Sequence, residues 1–251
     1  MNFIDTHCHI HEASYPLDRE QVLKDATTAG VTKIICVGTD IESSKQATDF
    51  TVEHDNAWAI VGVHPHEASH GIDQLDGLVK KPKVVGIGEI GLDYYYNHSP
   101  RDVQIEMLNR QIELALSNNL PISFHVRNAF DDFWPIFNNF HGIKGALHSF
   151  TDSMQNMKIG LNKGLFFGVN GIATFNKDHD QSLMYKAIPL DRMILETDSP
   201  FLAPKPFRGQ ANQPAYIKNI AEFLSEFRSE PLDEIAKITT SNAESIFQLY
   251  P

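Results

Sequence analysis

The sequence predicts a single (β/α)8 barrel, on three observations. Eight short apolar runs recur along the 251 residues, and the stretch between successive runs is long enough for a crossover helix and two loops. Most of the runs are continuously apolar, as suits parallel strands covered by helices, although a buried helix segment can look the same. No linker, composition break or low-complexity segment interrupts them, so one domain over 1–251 is expected. A doubly wound open sheet is the alternative, but the glycine-rich phosphate fingerprint after its first strand is missing.

The strand candidates in order are residues 2–5, 33–37, 59–63, 84–88, 122–125, 145–148, 165–169 and 193–196. Residues 16–29 read as the first helix, closed by Gly30 as a C-terminal cap. Residues 41–53 follow Asp40, an N-cap type. Residues 100–117 follow Ser99 and carry Pro100 in the first turn, with Met107, Leu108, Ile112, Leu114 and Ala115 approximating an apolar stripe. Residues 129–138, 153–161 and 178–187 are the later crossovers, and 214–227 and 231–239 follow the last strand. Ser241-Asn242-Ala243-Glu244 spells a capping box, predicting that a separate final helix opens there.

Composition bounds the function. Hydrophobic residues make up 42% and aromatics 10%, which marks a globular chain. No apolar run reaches the ~20 residues of a membrane helix, and the N-terminus lacks the basic flank and apolar run of an export signal. A soluble cytoplasmic protein without a membrane or an obligate protein partner is the expectation. Two cysteines, Cys8 and Cys36, both in strand-like contexts, argue against a disulfide framework and exclude a cysteine zinc cage. The net charge of −11 excludes a general polyanion-binding surface, so action on nucleic acid would need local cations.

In a barrel, chemistry gathers at the C-terminal ends of strands. His7 and His9 end the first strand. Period-2 alternation points them the same way and Cys8 to the opposite side, toward the helices. His64 and His66 follow the third strand, Glu89 the fourth, His125 and Arg127 the fifth, and His148 the sixth; the eighth reaches Glu196-Thr197-Asp198. Six of twelve histidines therefore lie at strand ends. Taken singly, each has a structural reading: a core histidine, a helix cap or a turn. Together they would be costly buried polar groups unless they shared a partner. One or two divalent cations are the simplest such partner: zinc, manganese or, with more oxygen ligands, magnesium.

The motifs Phe3-Ile4-Asp5-Thr6-His7-Cys8-His9, Gly62-Val63-His64-Pro65-His66, Gly86-Ile87-Gly88-Glu89-Ile90-Gly91-Leu92-Asp93, Pro121-Ile122-Ser123-Phe124-His125-Val126-Arg127, His148-Ser149-Phe150 and Glu196-Thr197-Asp198-Ser199-Pro200 resemble those of TatD-type metal-dependent deoxyribonucleases, in the amidohydrolase superfamily. The resemblance implies two divalent metal ions (Mg, Mn or Zn). It implies that His7, His9 and Asp198 hold the first, that His125 and His148 hold the second, and that Glu89 is shared. It implies that His64 faces the substrate phosphate, helped by Arg127 and Arg208. Catalysis would then involve Asp198, Glu89 and His64, with water as the nucleophile. Two departures stand out: His11 replaces the usual acid or amide, and Gln210 and Ala211 lack a cation. The second bears on substrate choice.

The resulting expectation is a hydrolase that cleaves DNA phosphodiester bonds from single-stranded ends. The alternative is hydrolysis at a carbonyl centre, in a cyclic amide or an aminoacyl ester; a metal-binding structural protein is the non-enzyme rival. Tyr94-Tyr95-Tyr96 after the fourth strand reads either as a base-stacking surface or as packing against the rim.

Overall fold

The computed structural model describes residues 1–96 and 98–249. Its eight strands are β1 (Phe3–Cys8), β2 (Val31–Val37), β3 (Ala57–Val61), β4 (Val84–Asp93), β5 (Ile122–Arg127), β6 (Gly145–Leu147), β7 (Phe166–Val169) and β8 (Met193–Leu195). They form one sheet in the order β1 to β8, the parallel (β/α)8 barrel that the sequence predicts. The helices are α1 (Arg19–Thr28), α2 (Ile41–Glu53), α3 (Leu75–Leu78), α4 (Arg101–Ser117), α5 (Phe130–Asn138), α6 (Met154–Asn162), α7 (Ile172–Phe175), α8 (His179–Ala187), α9 (Ile217–Arg228) and α10 (Leu232–Phe247). By packing, residues 1–36 and the chain from Ser149 onward form one compact unit, and residues 37–148 form a second.

In the first unit β1 lies parallel to β2, with Phe3 opposite Val31 and Cys8 opposite Cys36. β7 lies parallel to β8, with Phe167 opposite Met193. The segment after β8 is joined to the end of β1. Asp198 N donates to His7 O and His9 N to Ser199 O, each at 2.8 Å. Asp18 caps α1 by accepting from Gln21 N at 2.8 Å. The capping box at 241–244 does not start a helix, because α10 runs unbroken through it. Asn242 is instead a tertiary anchor: its side chain donates to Leu190 O and Met193 O, both at 2.8 Å. The apolar face around it, with Ile235, Ala236, Ala243 and Ile246 buried, has more to gain by continuing the helix than by breaking it.

In the second unit β3, β4, β5 and β6 pair in sequence. β4 extends to Asp93, five residues past the predicted end, because Gly91 permits it. Gly91 has φ +156°, and a Cβ there would collide with the His125 carbonyl, so only glycine lets β4 run so close to β5. Aromatic residues of α5 cover β5: the Phe124 and Phe133 rings meet edge to face at 5.1 Å. α4 buries Met107, Leu108, Ile112 and Ala115 as the stripe requires, and also Gln104 and Gln111. Gln111 accepts from Val63 N at 2.8 Å and donates to Val63 O at 3.0 Å. Gln104 makes the same pair with Asp93, at 2.9 and 3.1 Å. One helix face thus fixes the backbone beside His64 and at the end of β4.

Candidate functional site

The polar side chains predicted at the strand ends fall into one cluster in each unit. In the first unit, His7 and His9 are buried at the end of β1. Their Nε2 atoms lie 3.8 and 3.3 Å from the same Asp198 Oδ1, so both imidazoles face one carboxylate as the alternation predicts. Asp198 has a left-handed backbone, φ 59°, which aspartate adopts more readily than most residues. Thr197 before it is held by Asp5: Thr197 N and Oγ1 donate to the Asp5 carboxylate at 2.9 and 2.5 Å. Burial pushes the Asp5 carboxyl up to about 7, against the pull of those hydrogen bonds. Cys8 is buried, and its thiol lies 3.4 Å from Ile35 O. Neither cysteine is in a disulfide.

Glu196 is also buried in this unit, where it accepts from Ser149 N at 2.6 Å. Gly168 makes the room, since a Cβ there would strike the Glu196 carboxylate. Arg208 is exposed; its guanidinium covers the Phe175 ring at 3.7 Å and donates to Ala203 O at 2.9 Å.

In the second unit, Glu89 Oε1 is the hub. It lies 2.6 Å from His125 Nδ1, 3.5 Å from His148 Nε2 and 3.7 Å from His64 Nε2. Donor atoms from His64, Glu89 and His125 all lie within 4.8 Å of one another. The His125 and His148 nitrogens with the Glu89 carboxylate fit a divalent cation, since imidazole nitrogens and a carboxylate oxygen are the donors that borderline and hard divalent ions take; His64 lies beside them. Glu89, His64 and His148 are buried, so the carboxylate has little water to share its charge with.

Asp93 adds a second carboxylate. Its Oδ2 lies 3.2 Å from His125 Nε2 and 2.9 Å from His66 Nε2. Burial alone would push the His125 pKa down, but the hydrogen bonds to Asp93 and Glu89 outweigh it and push it up to about 9. Burial acts on Asp93 too, yet its bonds to His125 and His66 hold its carboxyl well below the usual carboxylate range. His64 goes the other way: burial, then repulsion from His125, holds its pKa well below that of an ordinary imidazole. Its Nδ1 accepts from His66 N at 3.1 Å, so the neutral ring carries its proton on Nε2, the nitrogen facing Glu89. Arg127 is exposed and packs its guanidinium over Tyr95, 4.0 Å from the ring centroid.

Asp93, Gln104, Gln111 and Glu196 have parts here that sequence reasoning left unassigned. Asp93 was within reach, since Glu89 and Asp93 are four residues apart and would share a face of a longer strand. The two glutamines, seven residues apart on α4, interrupt an otherwise apolar stripe.

Comparison with known proteins gives a consistent result. The model of the family described as TatD related DNase matches residues 4–248. The chain is 36% identical to an uncharacterized metal-dependent hydrolase, YabD, of Bacillus subtilis, over 98% of each chain. It is 33% identical to the 3'-5' ssDNA/RNA exonuclease TatD of a Rahnella species, over 96% of each. Among solved structures it superposes on YJJV, a TatD homologue of Escherichia coli, with a TM-score of 0.92 and 30% identity, covering 99% of this chain and 98% of that one.

Proposed function

The chain belongs to the TatD related DNase family of metal-dependent hydrolases, and from that premise we propose that it is a deoxyribonuclease releasing nucleotides from single-stranded DNA ends. The observation that carries the proposal is the convergence of three imidazoles on the buried Glu89 carboxylate. The second trio, His7, His9 and Asp198, supports two ions per chain, with Glu89 as the shared ligand that the resemblance implies. When bound, such ions supply charge stabilisation for a phosphoryl group and lower the pKa of a water.

The chain's own residues supply the rest. Neutral His64, with its proton on Nε2, donates to a phosphate oxygen. Asp198 orients the attacking water and takes its proton. Arg127 and Arg208 lend positive charge near the strand in a protein of net charge −11. With so few cations, the grip extends to one or two phosphates, which favours a free end over a stiff duplex. The exonuclease name of the Rahnella relative points the same way. The proposal is of one hydrolase domain. It places the protein in the cytoplasm, which suits two buried thiols outside any disulfide. No helix among the described residues is long and apolar enough to cross a membrane.

The test is a metal-reconstituted assay with magnesium, manganese and zinc in turn. Linear and circular single-stranded DNA, duplex DNA, RNA and an aminoacyl ester are compared side by side. Nucleotide release from linear DNA, with circles resistant, is the expected result. His64→Ala weakens substrate use and leaves metal content unchanged. Equal cutting of circles removes the end-directed reading, and hydrolysis of the ester alone replaces it with carbonyl chemistry.

A further inference from the structure

We propose that Tyr95 and Tyr96 form a subsite that stacks the base of a single-stranded nucleic acid next to the scissile phosphate; this rests on the nuclease reading above. The three tyrosines after β4 do different work. Tyr94 is anchored, its hydroxyl donating to Asp132 at 2.8 Å and Arg101 lying 4.1 Å from its ring centroid. Tyr95 and Tyr96 are 57% and 45% exposed side by side, a contiguous aromatic patch of the kind that marks a binding surface. Their rings meet edge to face at 4.7 Å with planes 85° apart, forming a corner. Arg127 lies 4.0 Å from the Tyr95 centroid and 5.0 Å from that of Tyr96, which packs a cation against both rings. An aromatic corner with one guanidinium against it suits a planar base attached to an anionic backbone.

The corner is tied to the chemistry through Asp93. One oxygen, Oδ1, accepts from Tyr95 N at 2.9 Å and from Tyr96 N at 3.1 Å. The other, Oδ2, meets His125 and His66. The carboxylate that orients His125 therefore also sets the backbone of the tyrosines, so platform and imidazoles hold a fixed spacing. The His66 ring spans that spacing, 5.6 Å from Tyr96 and 6.4 Å from His125 between centroids. Stacking tolerates any base, as an enzyme that works along a strand from its end requires.

The test uses the metal-loaded enzyme with a single-stranded oligonucleotide and with one of the same length whose terminal nucleotides are abasic. Three proteins are compared: wild type, Tyr95→Leu/Tyr96→Leu and Tyr95→Phe/Tyr96→Phe. The leucine pair should raise KM for the normal strand about tenfold or more, with kcat changed little. The phenylalanine pair should stay within about threefold, and wild type and leucine pair should converge on the abasic strand. Quenching of a terminal 2-aminopurine, followed in chelator so that nothing is cut, should be strong in wild type and lost in the leucine pair. A melting curve confirms that each variant folds. If wild type cuts the normal strand and the leucine pair matches it in KM and quenching, the subsite is wrong and the nuclease reading stands. If wild type cuts no strand and quenches no 2-aminopurine, both fall.

Discussion

Replacing Gln111 by leucine tests whether α4 holds the site in place. The amide is buried and satisfies both backbone groups of Val63, the residue before His64, at 2.8 and 3.0 Å. Leucine has similar bulk and can satisfy neither. Each buried backbone group left without a partner costs about 1–3 kcal/mol, so the pair costs roughly 2–6 kcal/mol. For a chain of this size each kcal/mol lowers Tm by about 2–4 °C, which places the central expectation near an 8–16 °C drop. The loss should also reach the chemistry, because the backbone leading into His64 then keeps the Thr39 O bond to His64 N but loses both bonds at Val63. A displacement of about 1 Å at a positioning group costs on the order of a hundredfold in rate. The assay pairs a thermal or denaturant melt with kcat/KM on single-stranded DNA below the new transition. Gln111→Glu keeps the acceptor for Val63 N and sets a carboxylate against Val63 O, so it should be destabilised as well. A Gln111→Leu protein melting within about 2 °C of wild type with full activity would refute the account.

Chelation should abolish turnover and lower Tm. Removal of an ion present at 100 times its Kd costs about 2.7 kcal/mol, and readdition should reverse both effects. Glu89→Gln should reduce metal content at both proposed positions, whereas His148→Ala should remove about one equivalent, read by elemental analysis of the dialysed protein. Retention of two ions by the Glu89 variant would exclude it as the shared ligand. Cys8→Ala should keep activity and metal content at a packing cost of about 1 kcal/mol, because its thiol is buried against Ile35 O. Lost turnover in a folded, metal-replete Cys8→Ala protein would show that the thiol takes part in the chemistry.

Much of this protein is determined by sequence alone. The eight apolar runs and their spacing specify the strands and their order, because a continuously apolar strand must be covered on both faces and a crossover supplies the cover. The histidines and acids at the strand ends are legible for the same reason: polar groups there need a shared partner, and strand alternation says which ones point together, as His7 and His9 do toward Asp198. Tertiary structure decided the remainder. β4 reaches Asp93 because Gly91 lets two backbones approach, a matter of close contact that no local pattern encodes. The capping box at 241–244 follows a correct local rule, yet the burial of Ile246 and the anchoring of Asn242 outweigh it. The roles of Asp93, Gln104 and Gln111 depend on partners distant in the chain. Propensity and spacing describe a residue's neighbours in sequence, whereas a buried amide or carboxylate takes its role from whichever donors and acceptors the fold brings within 3 Å or so of it.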